Sequence, residues 1–231
     1  MVTGGTACII CGTRSGALPL CAACQQQYRA VPDGKRCSIC GRELVSEATH
    51  CMQCRTAPVL TATDGVHVLF AYRLWNKTVL YTWKSLGVRA FSPFFAERLM
   101  DLLSELPAMV IVPVPPRPGK IWRNGWDQIE DVMLFLRRAG FTVCYLLERL
   151  SQTQQKKLDR AGRVAGIGTA YRMKTGRRRA RALRSCAGTI PPVVCLVDDV
   201  ITTGATLECC AHVLKAGGVS IVHAAALFMN D

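Results

Sequence analysis

The chain has 231 residues, half of them hydrophobic, and a formal net charge of +13. That length accommodates one full α/β domain plus a small module, and the hydrophobic fraction excludes global disorder. The charge favours an anionic partner, whether nucleotide, nucleic acid or an anionic membrane face, without choosing among them.

No apolar run approaches the roughly 18 residues of a membrane span. The first residues, MVTGGTACIICG, lack the charged start and apolar core of a signal peptide, so a cytoplasmic protein is expected. The first 54 residues carry four CxxC pairs: Cys8/Cys11, Cys21/Cys24, Cys37/Cys40 and Cys51/Cys54. They form an internal repeat, CIICG with CAAC after nine residues and CSICG with CMQC after ten, offset by 29 or 30 positions. A CxxC turn lets two thiolates grip one ion, and two such knuckles complete a closed tetrahedral site for structural Zn2+. The repeat favours pairing the first four and the last four cysteines, with a crossed arrangement as the alternative. Gly12 and Gly41 would relieve the turn after the first knuckle of each half. Disulfides suit a reducing compartment poorly, and four tandem pairs suit ligation better than redox chemistry. A zinc-ribbon module therefore extends to about residue 58. It has too few apolar residues for a core of its own, and one or two zinc ions would supply the missing stability.

Arg55 to Asp64 reads as a linker containing Pro58, and Gly65 to Tyr72 as a strand. Asn76 is the expected cap of a helix from Lys77 to Leu86 that ends at Gly87. Lys84 near its end is either a favourable cation at a helix C-terminus or a ligand. Ser92 and Pro93 open a helix to about Leu106, whose face of Phe91, Phe94, Phe95, Leu99 and Leu102 belongs in the core. A strand from Ala108 to Val114 runs into PVPPRPGKIWRNGWDQ, residues 113–128, where Arg117, Lys120 and Arg123 surround Gly119 and Gly125. This is one candidate anion site at a strand end. Asp127 should cap a helix from Gln128 to Arg138 closed by Gly140, and Phe141 to Leu147 reads as another strand. A polar stretch, Glu148 to Gly168, precedes the run Arg172 to Arg184, with seven basic residues in thirteen and no acid. Such a run is usually a solvated surface; its functional alternative is contact with a nucleic acid backbone.

The chemistry concentrates between Val193 and Thr206. Five apolar, mostly β-branched residues suit a strand buried on both faces of a parallel sheet. At its carboxyl end stand Asp198 and Asp199, then the loop Thr202, Thr203, Gly204, Ala205, Thr206 opening a helix from Leu207 to Lys215. A strand from Val219 to Leu227 follows. Ligands of open α/β sheets bind at this place. A helix N-terminus with a Gly-bearing loop suits a phosphate, and the carboxylates can take ribose hydroxyl protons or the water shell of Mg2+.

Val194 to Thr206 resembles the 13-residue phosphoribosyl pyrophosphate (PRPP) signature of type I phosphoribosyltransferases. The resemblance implies that Asp198 and Asp199 contact the ribose hydroxyls while Thr202, Thr203, Gly204, Ala205 and Thr206 wrap the 5′-phosphate. It narrows to the ComF family, which pairs zinc ribbons with a phosphoribosyltransferase-like domain. Pro113, Val114 and Pro115 match its strand end, and Gly125, Trp126 and Gln128 match its RGFNQ-like motif, with Asn124 and Asp127 departing from it. Gln155 to Arg163 and Ala170–Tyr171 resemble further family stretches, the former in a segment that covers substrate in the superfamily.

The implied fold is α/β: a mainly parallel sheet flanked by helices, of the type I phosphoribosyltransferase kind, from about residue 64 to the end, preceded by the double zinc ribbon. The implied reaction transfers ribose 5-phosphate from PRPP to an acceptor, releasing pyrophosphate. Mg2+ and Arg123, with Lys84, Arg117 and Lys120 as further candidates, would neutralise the leaving group. None of the four histidines falls in either loop, so no imidazole base is indicated. The other reading is a weakly catalytic or non-catalytic PRPP-sensing factor that handles single-stranded DNA with the competence machinery at the inner membrane face.

Overall fold

The computed structural model describes residues 7–16, 18–27, 36–46, 48–72, 75–150 and 170–230; within these, the side chains at positions 75 and 123 are outside the description. Short helices α1 (Ala22–Gln27) and α2 (Met52–Thr56) lie in the cysteine-rich segment. The rest of the chain runs β1 (Gly65–Ala71), α3 (Trp75–Lys84), α4 (Ser92–Ser104), β2 (Val110–Pro113), α5 (Lys120–Asn124) and α6 (Gln128–Arg138). It continues through β3 (Leu147–Arg149), β4 (Tyr171–Met173), α7 (Gly176–Leu183), β5 (Val193–Ile201), α8 (Ala205–Ala216) and β6 (Ile221–Met229).

Four strands form a parallel sheet in the order β1-β6-β5-β2. The central strands are apolar nearly throughout because helices cover both faces. Along β5, Cys195 and Val197 join Phe70, Phe94, Phe95 and Phe228 on one face, while Val194 and Leu196 join Leu207, Ala211 and Leu214 of α8 on the other. The predicted aromatic core holds: Trp83 and Phe95 pack with centroids 4.5 Å apart, a contact type worth about 0.5–1.5 kcal/mol beyond area burial.

Several boundaries move for identifiable reasons. β5 continues four residues past the predicted apolar run because β6 pairs alongside it as far as Ile201↔Met229, so both aspartates lie within the strand. Asn76 is inside α3 rather than capping it, and its amide Nδ2 donates to Ala71 O at 2.6 Å. The predicted strand Phe141–Leu147 reduces to a parallel bridge between Val143 and Ile111 at the β2 edge, followed by β3, which pairs antiparallel with β4. The basic run is largely helical, as α7, and α6 has the predicted bounds.

The two cysteine-rich halves pack beside β1 on opposite faces of the sheet. Cys8, Leu20, Cys21 and Cys24 belong to the core of the α3/α4 face. Ile39 and Cys40 pack against the α8 face, and a Cβ on Gly41 would stand 3.0 Å from Val68 Cγ2. Among the described residues no helix is long and apolar enough to cross a membrane.

Candidate functional site

Each half of the cysteine-rich segment folds its own knuckles together. Isolated antiparallel bridges, Ala7↔Arg14 and Arg36↔Glu43, close the first knuckle of each half, and Gly12 and Gly41 take the left-handed φ values of +73° and +74° that the turns require. Cys8, Cys11, Cys21 and Cys24 form one cluster and Cys37, Cys40, Cys51 and Cys54 another, each with its thiol sulfurs within 4.8 Å of one another. The pairing is therefore sequential, not crossed.

Cys11 Sγ lies 3.5 Å from Cys21 Sγ, and Cys40 Sγ 3.8 Å from Cys51 Sγ. A tetrahedron with Zn–S of about 2.3 Å has edges of about 3.8 Å, so both donor sets fit structural zinc. The thiols are unequal. The Thr13 hydroxyl beside Cys11 pulls its thiol down to about 6, whereas burial pushes Cys40 up to about 11. Four ionised thiols cannot coexist so closely without a cation, and a metal would resolve that conflict.

At the carboxyl end of the sheet, β5 delivers the acid pair. Asp199 reaches toward α3 and pairs with Lys84 Nζ at 2.5 Å. Asp198 accepts the N–H of Asp199 at 2.8 Å, and burial together with the neighbouring Asp199 charge pushes its carboxyl up to about 7. The loop beyond turns at Gly204, with φ of +81°, directly into α8. Among the described residues the N–H groups of Thr202, Thr203 and Gly204 have no backbone carbonyl partner. Thr203 Oγ1 accepts the N–H of Ala205 at 3.3 Å, and Thr202, Thr203 and Ala205 are exposed. An open set of donors at a helix N-terminus is an anion cradle. Beside it a cleft of about 360 Å³ is lined by Lys84, Asp199 and Thr202, with Tyr72, Tyr81 and Asn230. Lys84 is thus a partner of the acid pair as well as a helix-terminal cation.

The loop after β2 is built differently. Gly119 and Gly125, both left-handed, flank the short α5, and Arg117 is exposed on the approach to it. Asp127 is 4% exposed, caps α6 by accepting from the N–H groups of Ile129 and Glu130, and takes Lys120 Nζ at 2.5 Å. Asp127 is therefore both a cap and a paired charge. Lys120 also donates to Gln128 Oε1, whose Nε2 donates to Lys84 O at 3.1 Å. The second loop is tied in this way to the helix that presents Lys84. Arg123 belongs to α5, and its side chain lies outside the described ones.

Sequence reasoning missed the supports of this region. Asp131 holds Arg89 through two bonds, 2.6 and 2.8 Å, and receives the Ser92 hydroxyl at 3.2 Å, while Trp83 Nε1 donates to Ser92 Oγ at 3.0 Å. Glu208 in α8 was missed too; a carboxylate in the first turn of a helix was its one sequence signal. The Gln155–Arg163 stretch lies outside the described residues. The described residues on either side of it are joined by Leu150 N donating to Ala170 O at 2.8 Å.

No family model matches the chain. It is 26% identical over 207 residues to competence protein ComFC of Streptococcus pneumoniae, covering 88% of this chain and 84% of that protein. It is 27% identical over 216 residues to competence protein F of Haemophilus influenzae, covering 87% of this chain and 86% of that protein. Both similarities span most of either chain rather than one motif, so the chain is similar to these two competence proteins along most of its length.

Proposed function

We propose that the protein binds PRPP with Mg2+ and transfers ribose 5-phosphate to an acceptor nucleophile with release of pyrophosphate, in a competence-related role like that named for its relatives. The observation that carries this reading is the junction of β5 and α8, where two carboxylates stand beside an open row of backbone donors. The row of N–H groups suits the 5′-phosphate, and the carboxylates suit the ribose hydroxyls. The C1–O bond to pyrophosphate breaks as the bond from the acceptor forms, through a cation-like sugar. Mg2+ would supply charge neutralisation of the leaving group. Arg123 is assigned to that end, with Arg117 as a second cation; Lys120 contributes less because Asp127 already holds it. Immobilising the sugar phosphate is the chain's main contribution. Pyrophosphate release on addition of candidate amines to the zinc-loaded protein with Mg-PRPP tests the transfer, and no release with any acceptor would leave binding alone.

A second activity, handling of single-stranded DNA, is favoured by a separate groove of about 800 Å³. Arg137, Lys174, Arg178, Arg181 and Arg184 line it, with Glu148 the acid among its lining residues. Glu148 pairs with Arg172 at 2.6 Å and Arg178 at 3.1 Å, which leaves Arg137, Lys174, Arg181 and Arg184 as the cations for a phosphate backbone. The groove shares no lining residue with the Asp199 cleft. Oligonucleotide binding should fall steeply with salt and weaken in an Arg181→Glu/Arg184→Glu variant. Binding unmoved by either would remove this reading.

A further inference from the structure

The segment that leaves the second four-cysteine cluster runs along α8 before it enters β1, and it touches the phosphate loop directly. Leu60, 5% exposed, lies against Gly204, where a Cβ would meet three Leu60 side-chain carbons at 3.0–3.2 Å. Just beyond Leu60, Glu208 gathers the segment onto the helix. It accepts from Thr61 Oγ1 at 2.5 Å and from Ala62 N at 2.9 and 3.0 Å, and His212 Nε2 stands 3.1 Å away. Asp64 repeats the tie lower down, taking Lys215 Nζ at 2.9 Å and the Val222 N–H at 2.8 Å. Between the cluster and the loop only a crevice of about 20 Å³ remains, walled by Cys40 and Cys54 on one side and Thr202 and Thr203 on the other.

A buried carboxylate is costly unless its acceptors are filled. Glu208 is 9% exposed, and donors from the linker meet that need, so removing the linker from α8 would strand it. The first four-cysteine cluster packs instead into the core of the opposite face. We propose that Glu208 is a positioning residue for the phosphate loop. Through Glu208 and Leu60, zinc in the second cluster, and not in the first, fixes the shape of that loop, so that metal and a phosphate monoester bind with positive coupling. This rests on reading Thr202 to Thr206 as a phosphate loop.

Hydrogen exchange of the first hydrogen-bonded amides of α8, from Glu208 N, which donates to Gly204 O at 3.0 Å, onward, measured on the full zinc-loaded chain without ligand, tests the mechanical link. Exchange there should accelerate at least about tenfold in Glu208→Ala, which keeps both metals, and in Cys51→Ser/Cys54→Ser, but stay near wild type in Cys21→Ser/Cys24→Ser; Glu208→Gln should recover part of the protection. Exchange within twofold of wild type in Glu208→Ala overturns the proposal, as does equal acceleration when the first cluster is broken. In a second arm, chelator-driven zinc release from the second cluster should slow at least about threefold under Mg-PRPP. Should Mg-PRPP not bind at all, the transferase reading fails while the exchange result still decides the link.

Discussion

Two loops leave the carboxyl end of the same sheet, and both look from sequence like anion sites, yet they spend their polar groups in opposite ways. After β5, the N–H groups of Thr202 to Gly204 stay without backbone partners among the described residues, and Asp199 lines a cleft beside them. After β2, Lys120 is held by Asp127 and Gln128, and the loop's bonds run inward to α6 and to the carbonyl of Lys84. A count of positive residues would rank the β2 loop first. The difference teaches that an anion site is a set of uncommitted donors, and that a lysine already paired with a buried acid serves as a strut.

The largest effect that could break this comparison comes from the turn itself. Gly204→Ala puts a Cβ at φ of +81° and against Leu60, and should destabilise the fold by about 1–3 kcal/mol and weaken Mg-PRPP binding by more than about tenfold. Thermal unfolding and calorimetry read the two losses together. Equal binding by this variant would show that the loop does not hold the ligand.

Lys84→Ala comes next. It removes the partner of Asp199 and should lower Mg-PRPP affinity about tenfold with a smaller loss of stability, since Lys84 is 41% exposed and such pairs contribute about 0–1 kcal/mol. On the β2 loop, Asp127→Asn should keep the α6 cap while releasing Lys120, so affinity should hold or rise up to about threefold. A fall in affinity there would show that the Lys120–Asp127 pair shapes the site for ligand.

The smallest effect is a pH dependence. Asp198 ionises at about 7 in the folded chain and at about 4 when unfolded, so the native state binds more protons between those values. Its contribution therefore lowers stability as pH rises from about 4 to about 7, and Asp198→Asn should flatten that slope. Ligand affinity runs the other way: a charged carboxylate accepts hydroxyl protons, so Mg-PRPP binding should strengthen from about pH 6 to about pH 8. An affinity independent of pH would mean that Asp198 does not contact the ligand's hydroxyls.

How much of this could be read from the chain alone depended on the range of the interactions. The repeat of CxxC knuckles anticipated two sequential four-cysteine clusters because the ligands of each lie within a short stretch. Asp127 was legible as a cap because its partners, Ile129 and Glu130, are two and three residues away. The end of β5 was not, because Asp198 pairs with Ala226 through a crossover whose length sequence periodicity does not reveal. Glu208 was invisible for the same reason: its partner Thr61 is 147 residues distant. Lys120 looked free because charge counting cannot see which acid will be buried beside it.

The central claim is that the β5 loop, with its acid pair, is the PRPP site. Calorimetric titration of the zinc-loaded protein with Mg-PRPP, beside the Asp198→Asn/Asp199→Asn variant, tests it most directly. Saturable one-to-one binding that weakens at least about a hundredfold in the variant, with zinc content unchanged and the unfolding temperature not lowered, is the predicted result. Absence of binding in the wild type, or equal binding in both proteins, would contradict it.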